Sequence, residues 1–300
     1  MKTEAIINTN LPNLLYKGKV RDTYDLGEGR LLMVASDRIS AFDVVLPTGI
    51  PRKGLVLSRM AAFWFGITDH LIANHLIALG DQSDVVPVDS PLGPVPSDIL
   101  RQSMVVKRAE RVDIECIVRG YLAGSAWSEY QKEGTVFGKK MGEGLLEGQM
   151  FEEPIFTPTT KAEEGHDENI SIEKVEDLIG VEVARQLEEK SIAVYNFARD
   201  YARERGIVLA DTKLEFGFVN NELILIDEIF TPDSSRFWDF EGYEPGKSQP
   251  NFDKQYVRDW LVAQGWDREP PAPPLPEDVV DKTSARYHEA YRRITGQKLT

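Results

Sequence analysis

"GIVLADTKLEFGFVNNELILIDE", residues 206–228, places two apolar runs on either side of Asn220 and Asn221. The runs read as the strands of a β-hairpin, and asparagine suits its turn because a short polar side chain tolerates turn conformations. Side chains alternate faces along a strand, so Asp211, Lys213 and Glu215 share one face while Thr212, Leu214 and Phe216 share the other. Loop length then decides what opposes Glu215. A three-residue loop, Asn220 to Glu222, sets Glu215 against Asp227, whereas a two-residue loop sets it against Ile226. In the first register like charges face each other, which destabilises a sheet unless something positive lies between them. A hard divalent cation that takes carboxylate oxygens and bridges to phosphate turns that repulsion into a binding site. The competing reading has both acids in water; the apolar character of both strands argues against it.

Beyond the hairpin, "TPDSSR" (231–236) follows directly on Asp227, Glu228 and a short apolar step. Pro232 rigidifies a turn, Asp233 and Ser235 offer oxygen contacts, and Arg236 can grip a carboxylate or phosphate through parallel hydrogen bonds. An ordinary capped turn explains the same letters equally well.

The rest of the chain bounds what such a site serves. With 300 residues, 42% of them hydrophobic, the protein can bury a full core and divide into about two lobes. Its net charge of −14 disfavours broad attraction to nucleic acid or an anionic membrane, so an anionic ligand must meet local cations. The single cysteine, Cys116, excludes an internal disulfide, and four scattered histidines show no zinc-type spacing. The N-terminus lacks the build of a signal peptide, and "MAAFWFGI" (60–67) is too short to span a bilayer. A soluble cytoplasmic protein is expected.

Residues 1–115 read as a β-rich lobe and 116–300 as a larger one. A helix is expected over about 55–77, interrupted near Gly66, then a proline-rich loop (86–98) and a return to strands from Ser103. The text from 120 to 170 is irregular and glycine-bearing, with 134–150 a candidate mobile cover. Ser171 opens a helix, and a stronger one spans about 182–205, stopped by Gly206. "REPPAPPLPED" is a stiff connector into an amphipathic helix over roughly 277–295.

Lys17, Lys19 and Arg21 in "YKGKVRD" alternate at period two, which aligns three cations on one strand face around Gly18. Cations with a glycine that admits close backbone approach suggest phosphate; a solvated strand face is the competing reading. The spacings of the common glycine-rich nucleotide motifs are absent. "ASDRISAFD" supplies Asp37, Arg38, Ser40 and Asp43 after an apolar strand, and "VRGYLAGSAW" supplies Arg119 and Ser125. Lys107 and Glu115 sit within apolar strands, where a lone charge is costly without a partner or ligand.

The ordered blocks "YKGKVRDTYDLG", "ASDRISAFDVVLP", "ECIVRGYLAGSAWSEY", "FTPTTKAEEGHDENIS", "LADTKLEFGF", "DEIFTPDSSRFWD" and "FDKQYVRDWL" resemble the longer form of the phosphoribosylaminoimidazole-succinocarboxamide synthase (SAICAR synthetase) family. The resemblance covers residues 16 to about 261. It implies an α+β, two-lobed fold akin to kinases and ATP-grasp proteins, with a small β-rich lobe covering ATP against a larger lobe. It implies a cytoplasmic, ATP-dependent ligase of purine biosynthesis that uses Mg2+ to join L-aspartate to 5-amino-1-(5-phosphoribosyl)imidazole-4-carboxylate through an acyl phosphate. A kinase-like small-molecule phosphotransferase is the alternative. The partners are small molecules rather than nucleic acid or membrane, and a monomer is the working expectation.

By the same resemblance, Lys17, Gly18, Lys19 and Arg21 hold the ATP phosphates with support from Lys107, and Glu115 to Val118 form a lobe connection beside adenine. Glu215 and Asp227 are the metal ligands, and strand alternation turns Glu228 away from Asp227. Arg119, Ser125, Asp211, Lys213, Arg236 and Arg258 hold the imidazole nucleotide, with Lys213, Asp211 and Arg236 the catalytic members. Asp37, Arg38, Ser40 and Asp43 line the substrate or aspartate side.

Overall fold

The computed structural model describes residues 4–161 and 168–299. Strands β1 (Leu14–Lys17), β2 (Arg21–Gly27) and β3 (Arg30–Ala35) lead through the short pair β4 (Ser40–Ala41) and β5 (Val44–Val45) to helix α1 (Lys53–Thr68), β6 (Leu76–Leu79), α2 (Ser97–Arg101) and β7 (Ser103–Lys107). Five of these strands form an antiparallel sheet in the order β1-β2-β3-β7-β6. The chain continues through β8 (Glu110–Arg111), β9 (Ile114–Tyr121), α3 (Gly124–Glu133), the hairpin β10 (Thr135–Val136) and β11 (Lys139–Lys140), and β12 (Met150–Thr160). It closes with α4 (Ile172–Ile179), α5 (Val181–Arg203), β13 (Ile207–Val219), β14 (Glu222–Ile226), β15 (Ser235–Asp239), α6 (Gln255–Ala263) and α7 (Glu277–Thr295).

The second sheet is organised by β13. Its first half pairs with β9 on one side and β15 on the other, and its second half pairs with β14 and β8. A strand paired on both edges and covered by a helix buries its apolar residues, and Leu209, Leu214 and Phe216 are fully buried, whereas Asp211, Lys213 and Glu215 interrupt the apolar run. Helix α5 covers this sheet with Leu187, Val194, Tyr195 and Ala198, all fully buried at helical spacing. Trp64 of α1 packs edge-on to Tyr201 and Phe230, with ring centroids 5.3 and 5.2 Å away. One apolar cluster contains Met33 and Val106 from the first sheet and Leu209 and Leu214 from the second, with α1, α5 and α7 adding to it. Each fully buried large side chain there contributes roughly 1.5–3 kcal/mol relative to exposure.

Several sequence expectations hold: the strands return from Ser103, α5 and α7 lie where expected, and the Ser171 hydroxyl caps α4 by accepting from the Lys174 N–H at 3.3 Å. Others are corrected. Helix α1 ends at Thr68, whose hydroxyl donates back to the Trp64 carbonyl at 2.7 Å, and the remainder of the expected helix becomes turns and β6. It passes straight through Gly66, whose cost of about 1 kcal/mol tertiary burial absorbs. The supposedly irregular stretch 120–170 contains α3 and the eleven-residue β12. Pro154 and Pro158 disguised that strand, but β12 lies at the sheet edge, where a missing N–H is tolerated. Gly165 and the rest of 162–167, within the block "FTPTTKAEEGHDENIS", lie outside the described residues.

The hairpin register is also decided. Val219 pairs with Glu222 and Glu215 with Ile226, so the loop has two residues and the three-residue alternative is wrong. Asn220 and Asn221 have φ of 51° and 63°, the left-handed pair a tight hairpin turn requires. Glycine reaches that conformation without the Cβ penalty, and a β-branched residue resists it most. Asn221→Gly should therefore raise the unfolding free energy by roughly 0.5–1 kcal/mol and Asn221→Val lower it by about 1–2 kcal/mol, both read from urea midpoints.

Candidate active site

Where β14 ends, the backbone changes hand. Asp227 has φ of 60°, which breaks the strand alternation. Asp227 and Glu228 consequently both reach Arg21, through Nη1 and Nη2, the latter 2.8 Å from Glu228 Oε2. Glu228 is thus not turned away. Glu215 and Asp227 do not face each other across the ladder, yet both line one cleft of about 620 Å³ with Arg21 and Lys213.

The cleft floor is a network of desolvated charge. Lys213 pairs with Glu115, and Lys161 bridges Glu115 at 3.1 Å and Glu215. Burial opposes the Arg21 charge, but the Asp227 and Glu228 carboxylates outweigh it and hold the guanidinium pKa above its ordinary value. Burial likewise opposes the Lys213 charge, and Glu215 and Glu115 again win, so its pKa rises. Glu115 is depressed because Lys213 and Lys161 outweigh burial. Glu215 goes the other way: burial, then the neighbouring Asp227 charge, push its pKa up despite Lys213 and Lys161. Four acids, Glu115, Glu215, Asp227 and Glu228, are thus interleaved with Arg21, Lys161 and Lys213, and Lys107, Arg111 and Lys254 line the same cleft.

The carboxylates of the cleft bear on the expected metal. Mg2+ is held by one or two carboxylates plus waters and phosphate oxygens rather than by an all-protein cage. Among the described residues no group of three or more His, Cys, Asp or Glu is disposed to hold a metal. Two acids of one cleft, one of them raised in pKa by the other, fit an ion that arrives with phosphate.

The glycine turn overhangs this floor. Lys17 and Arg21 do not share a strand, because β1 stops at Lys17 and β2 begins at Arg21, with Lys17 opposite Asp22. Gly18 closes the turn by donating its N–H to the Arg21 carbonyl at 2.7 Å; a Cβ there would meet that same oxygen at 2.8 Å. Gly18, Lys19 and Arg21 line the cleft, whereas Lys17 is exposed and outside it. Lys107 lines the cleft from the end of β7. Of the expected connection from Glu115 to Val118 only Glu115 reaches the cleft, since this stretch is the interior of β9, with Cys116 and Val118 fully buried.

Asp37 and Arg38 serve the frame. The Asp37 carboxylate accepts N–H bonds from Ile6, Arg52 and Gly54 at 2.8–3.2 Å, anchoring the start of α1. Burial raises its pKa against those donors. Arg38 clasps Asp22 with both Nη atoms and donates to the Gly18 and Lys19 carbonyls at 3.0 and 3.1 Å, so it locks the glycine turn from behind. Ser40 and Asp43 do line the cleft, and Asp43 pairs with Lys19.

A smaller pocket of about 80 Å³ adjoins, formed by Asp211, Ser235, Arg236, Asp253, Lys254 and Arg258 among others. Arg236 pairs with Asp211, and Arg119 reaches Asp211 at 3.4 Å and Ser125 Oγ at 3.1 Å. Gly124, at φ 57°, leaves the slot for Arg236: a Cβ there would fall 2.2 Å from Nη2. The Asp211 charge, against burial, raises the Arg236 pKa, whereas burial lowers that of Arg119. The "TPDSSR" loop ties the two cavities together. Thr231 Oγ1 donates to Glu228 at 2.7 Å, and the Lys213 N–H donates to the Ser234 carbonyl at 2.9 Å.

Lys161, Lys254, Glu228 as a partner of Arg21, and the Lys53 and Tyr287 contacts to Asp233 escaped sequence reading. Lys254 carried a signal: it stands four residues before Arg258, one helical turn away on the same face. Lys161 carried only its position at a strand end, and no local pattern connects Lys53 or Tyr287 to a loop some two hundred or fifty residues distant.

The SAICAR synthetase family profile matches residues 14–273. A phosphoribosylaminoimidazole-succinocarboxamide synthase from Desulfotalea psychrophila is 50% identical across 300 aligned residues, covering 98% of this chain and 100% of the relative. One from Thermodesulfovibrio yellowstonii is 51% identical, covering 97% and 99%. Among solved structures, the SAICAR-synthase from Saccharomyces cerevisiae in complex with SAICAR superposes with a TM-score of 0.85 at 43% identity, covering 99% of this chain and 98% of that one. A SAICAR synthetase in complex with ADP gives 0.69 at 25% identity, covering 94% and 98%. The chain belongs to the SAICAR synthetase family.

Asp253 gives the site a measurable titration. Burial pushes its carboxyl pKa from 3.8 up to about 6, although the Gln255 and Phe237 N–H groups and the arginines Arg236 and Arg258 oppose the rise. A raised folded pKa means stability present below the unfolded value and lost as pH rises through the folded one. The unfolding free energy of the protein relative to Asp253→Asn should therefore fall between about pH 4 and 6, by on the order of 3 kcal/mol, in urea titrations at each pH.

Proposed function

We propose that the larger cleft holds ATP, with its phosphates beneath the Gly18 turn and Mg2+ at Glu215 and Asp227, while the smaller pocket receives one end of the imidazole nucleotide. The activity is that of the family, an ATP-dependent carbon–nitrogen ligase of purine biosynthesis. It joins L-aspartate to 5-amino-1-(5-phosphoribosyl)imidazole-4-carboxylate to give the succinocarboxamide, ADP and phosphate. The observation that carries the assignment is the shared wall: Asp233, Ser234 and Lys254 line both cavities, so a phosphoryl donor in one lies beside an acceptor in the other.

A carboxylate and an amine at neutral pH form a salt rather than an amide. The carboxylate oxygen therefore attacks the γ-phosphorus, the bond to ADP breaks, and an acyl phosphate forms. The aspartate amine next attacks the acyl carbon, loses a proton and expels phosphate. Such chemistry needs positioning and charge neutralisation more than a protein nucleophile. Lys19, Arg21 and Lys107 meet the nucleotide phosphates, and magnesium held by Glu215 and Asp227 would neutralise further phosphate charge. Arg236, Asp211 and Lys213 orient the acceptor with Arg119, Ser125 and Arg258 around it, and Ser40 and Asp43 border the cleft from β4 and the turn after it. Lobes over 1–115 and 116–300 that close on the nucleotide, action as a monomer and a cytoplasmic location belong to the same proposal. The lone buried Cys116 suits a reducing compartment, and among the described residues no helix is long and apolar enough to cross a membrane.

Incubation with ATP and the imidazole carboxylate should yield the succinocarboxamide only when L-aspartate is added; phosphate release indifferent to aspartate would identify a phosphotransferase instead. Asp227→Asn should cut turnover by about 1,000-fold and, because it weakens the Arg21 pair, also lower the melting midpoint; turnover unaltered at a temperature where the variant is folded would remove Asp227 from metal binding.

A further inference from the structure

We propose that the Lys254 ammonium is a catalytic group of this ligase, holding the anionic oxygens of the carboxylate under activation where the two cavities meet. The inference rests on the reaction proposed above and adds a residue to it. Of the three side chains that line both cavities, two are already committed. Asp233 accepts from the Tyr287 hydroxyl on Oδ1 and from Lys53 Nζ on Oδ2, each at 2.6 Å, so both oxygens are bound and its charge is neutralised from the side of α1 and α7. Ser234 Oγ accepts from the Thr231 N–H at 3.1 Å within its own loop. Lys254 is the remaining member of the wall and its one cation.

Its footing is rigid. Lys254 is the residue before α6, whose first turn is fixed by the Arg258 N–H bond to the Lys254 carbonyl at 3.1 Å and by Asp253, which accepts from the Gln255 and Phe237 N–H groups. Val257 and Leu261 of the same helix are fully buried. Burial and the nearby Arg258 and Lys53 charges all disfavour the ammonium, against Asp233 and Glu228, so an arriving anion relieves it. In the first step a negative carboxylate approaches a negative γ-phosphoryl group, and a cation between them offsets the repulsion as the oxygen–phosphorus bond forms and the bond to ADP breaks. In the second, the same ammonium faces the oxygens of the phosphate that leaves as the amine bonds to carbon.

Steady-state kinetics on the full chain, with ADP titration and thermal melting, test this through Lys254→Met, Lys254→Gln and Lys254→Arg. Loss of the charge in Lys254→Met should lower kcat by about 100-fold or more while ADP affinity stays within about threefold, and Lys254→Gln, as the second charge-removing variant, should do the same. Lys254→Arg, which keeps the charge, should retain about a tenth of kcat or more. A kcat within about threefold in both neutral variants, or equal loss in the Arg and Met variants, overturns the role of Lys254 alone while the ligase reading stands. A wild-type enzyme that forms no succinocarboxamide overturns both.

Discussion

Arg21 between Asp227 and Glu228 is the interaction on which the rest of the site depends. Its guanidinium comes from β2 of the first sheet and its two carboxylates from the end of β14 in the second, so a desolvated ion triad joins the two sheets across the cleft. A buried charge is tolerated only when paired and hydrogen-bonded, and removal of one partner leaves the other stranded at a cost of several kcal/mol. The left-handed backbone at Asp227 is what lets consecutive acids reach one arginine. Lys213 and Lys161 extend the same logic to Glu115 and Glu215. Phosphate with a metal ion suits such a cleft better than either alone, since the glycine turn carries Lys19 and the floor carries carboxylates between its cations.

Part of the polar text after the apolar strands holds the frame of the site in place. Asp37 anchors α1 and Arg38 locks the glycine turn onto Asp22. Helix α1 then presents Lys53, fully buried, to Asp233, and α7 presents Tyr287 to the same carboxylate. The "TPDSSR" loop is thus pinned from two helices and by Thr231 to Glu228, which gives a loop the precision of a strand. An acid, hydroxyls and an arginine follow the buried strand because the loop must both anchor itself and face two cavities.

Tertiary geometry rearranged several local readings in instructive ways. The acids at 215 and 227 were legible as a pair because carboxylates are rare in apolar strands. Their meeting was not legible, because it arises from a two-residue turn and a change of backbone hand rather than from direct opposition. The cations at 17, 19 and 21 were legible as a cluster, but a hairpin turn between them sends Lys17 away from the cleft, which period-two reasoning cannot foresee.

Local pattern therefore determined the hairpin of residues 207–226, the helices over 181–203 and 277–295, the cationic glycine turn and the family to which the chain belongs, since each is written in neighbouring residues. Contacts between distant segments decided the rest. Lys53 reaches Asp233 across 180 positions and Arg21 reaches Asp227 across 206, and β12 exists because β9 offers it an edge. The physical reason is desolvation: a charged side chain declares its partner only once folding has removed the water that would otherwise satisfy it.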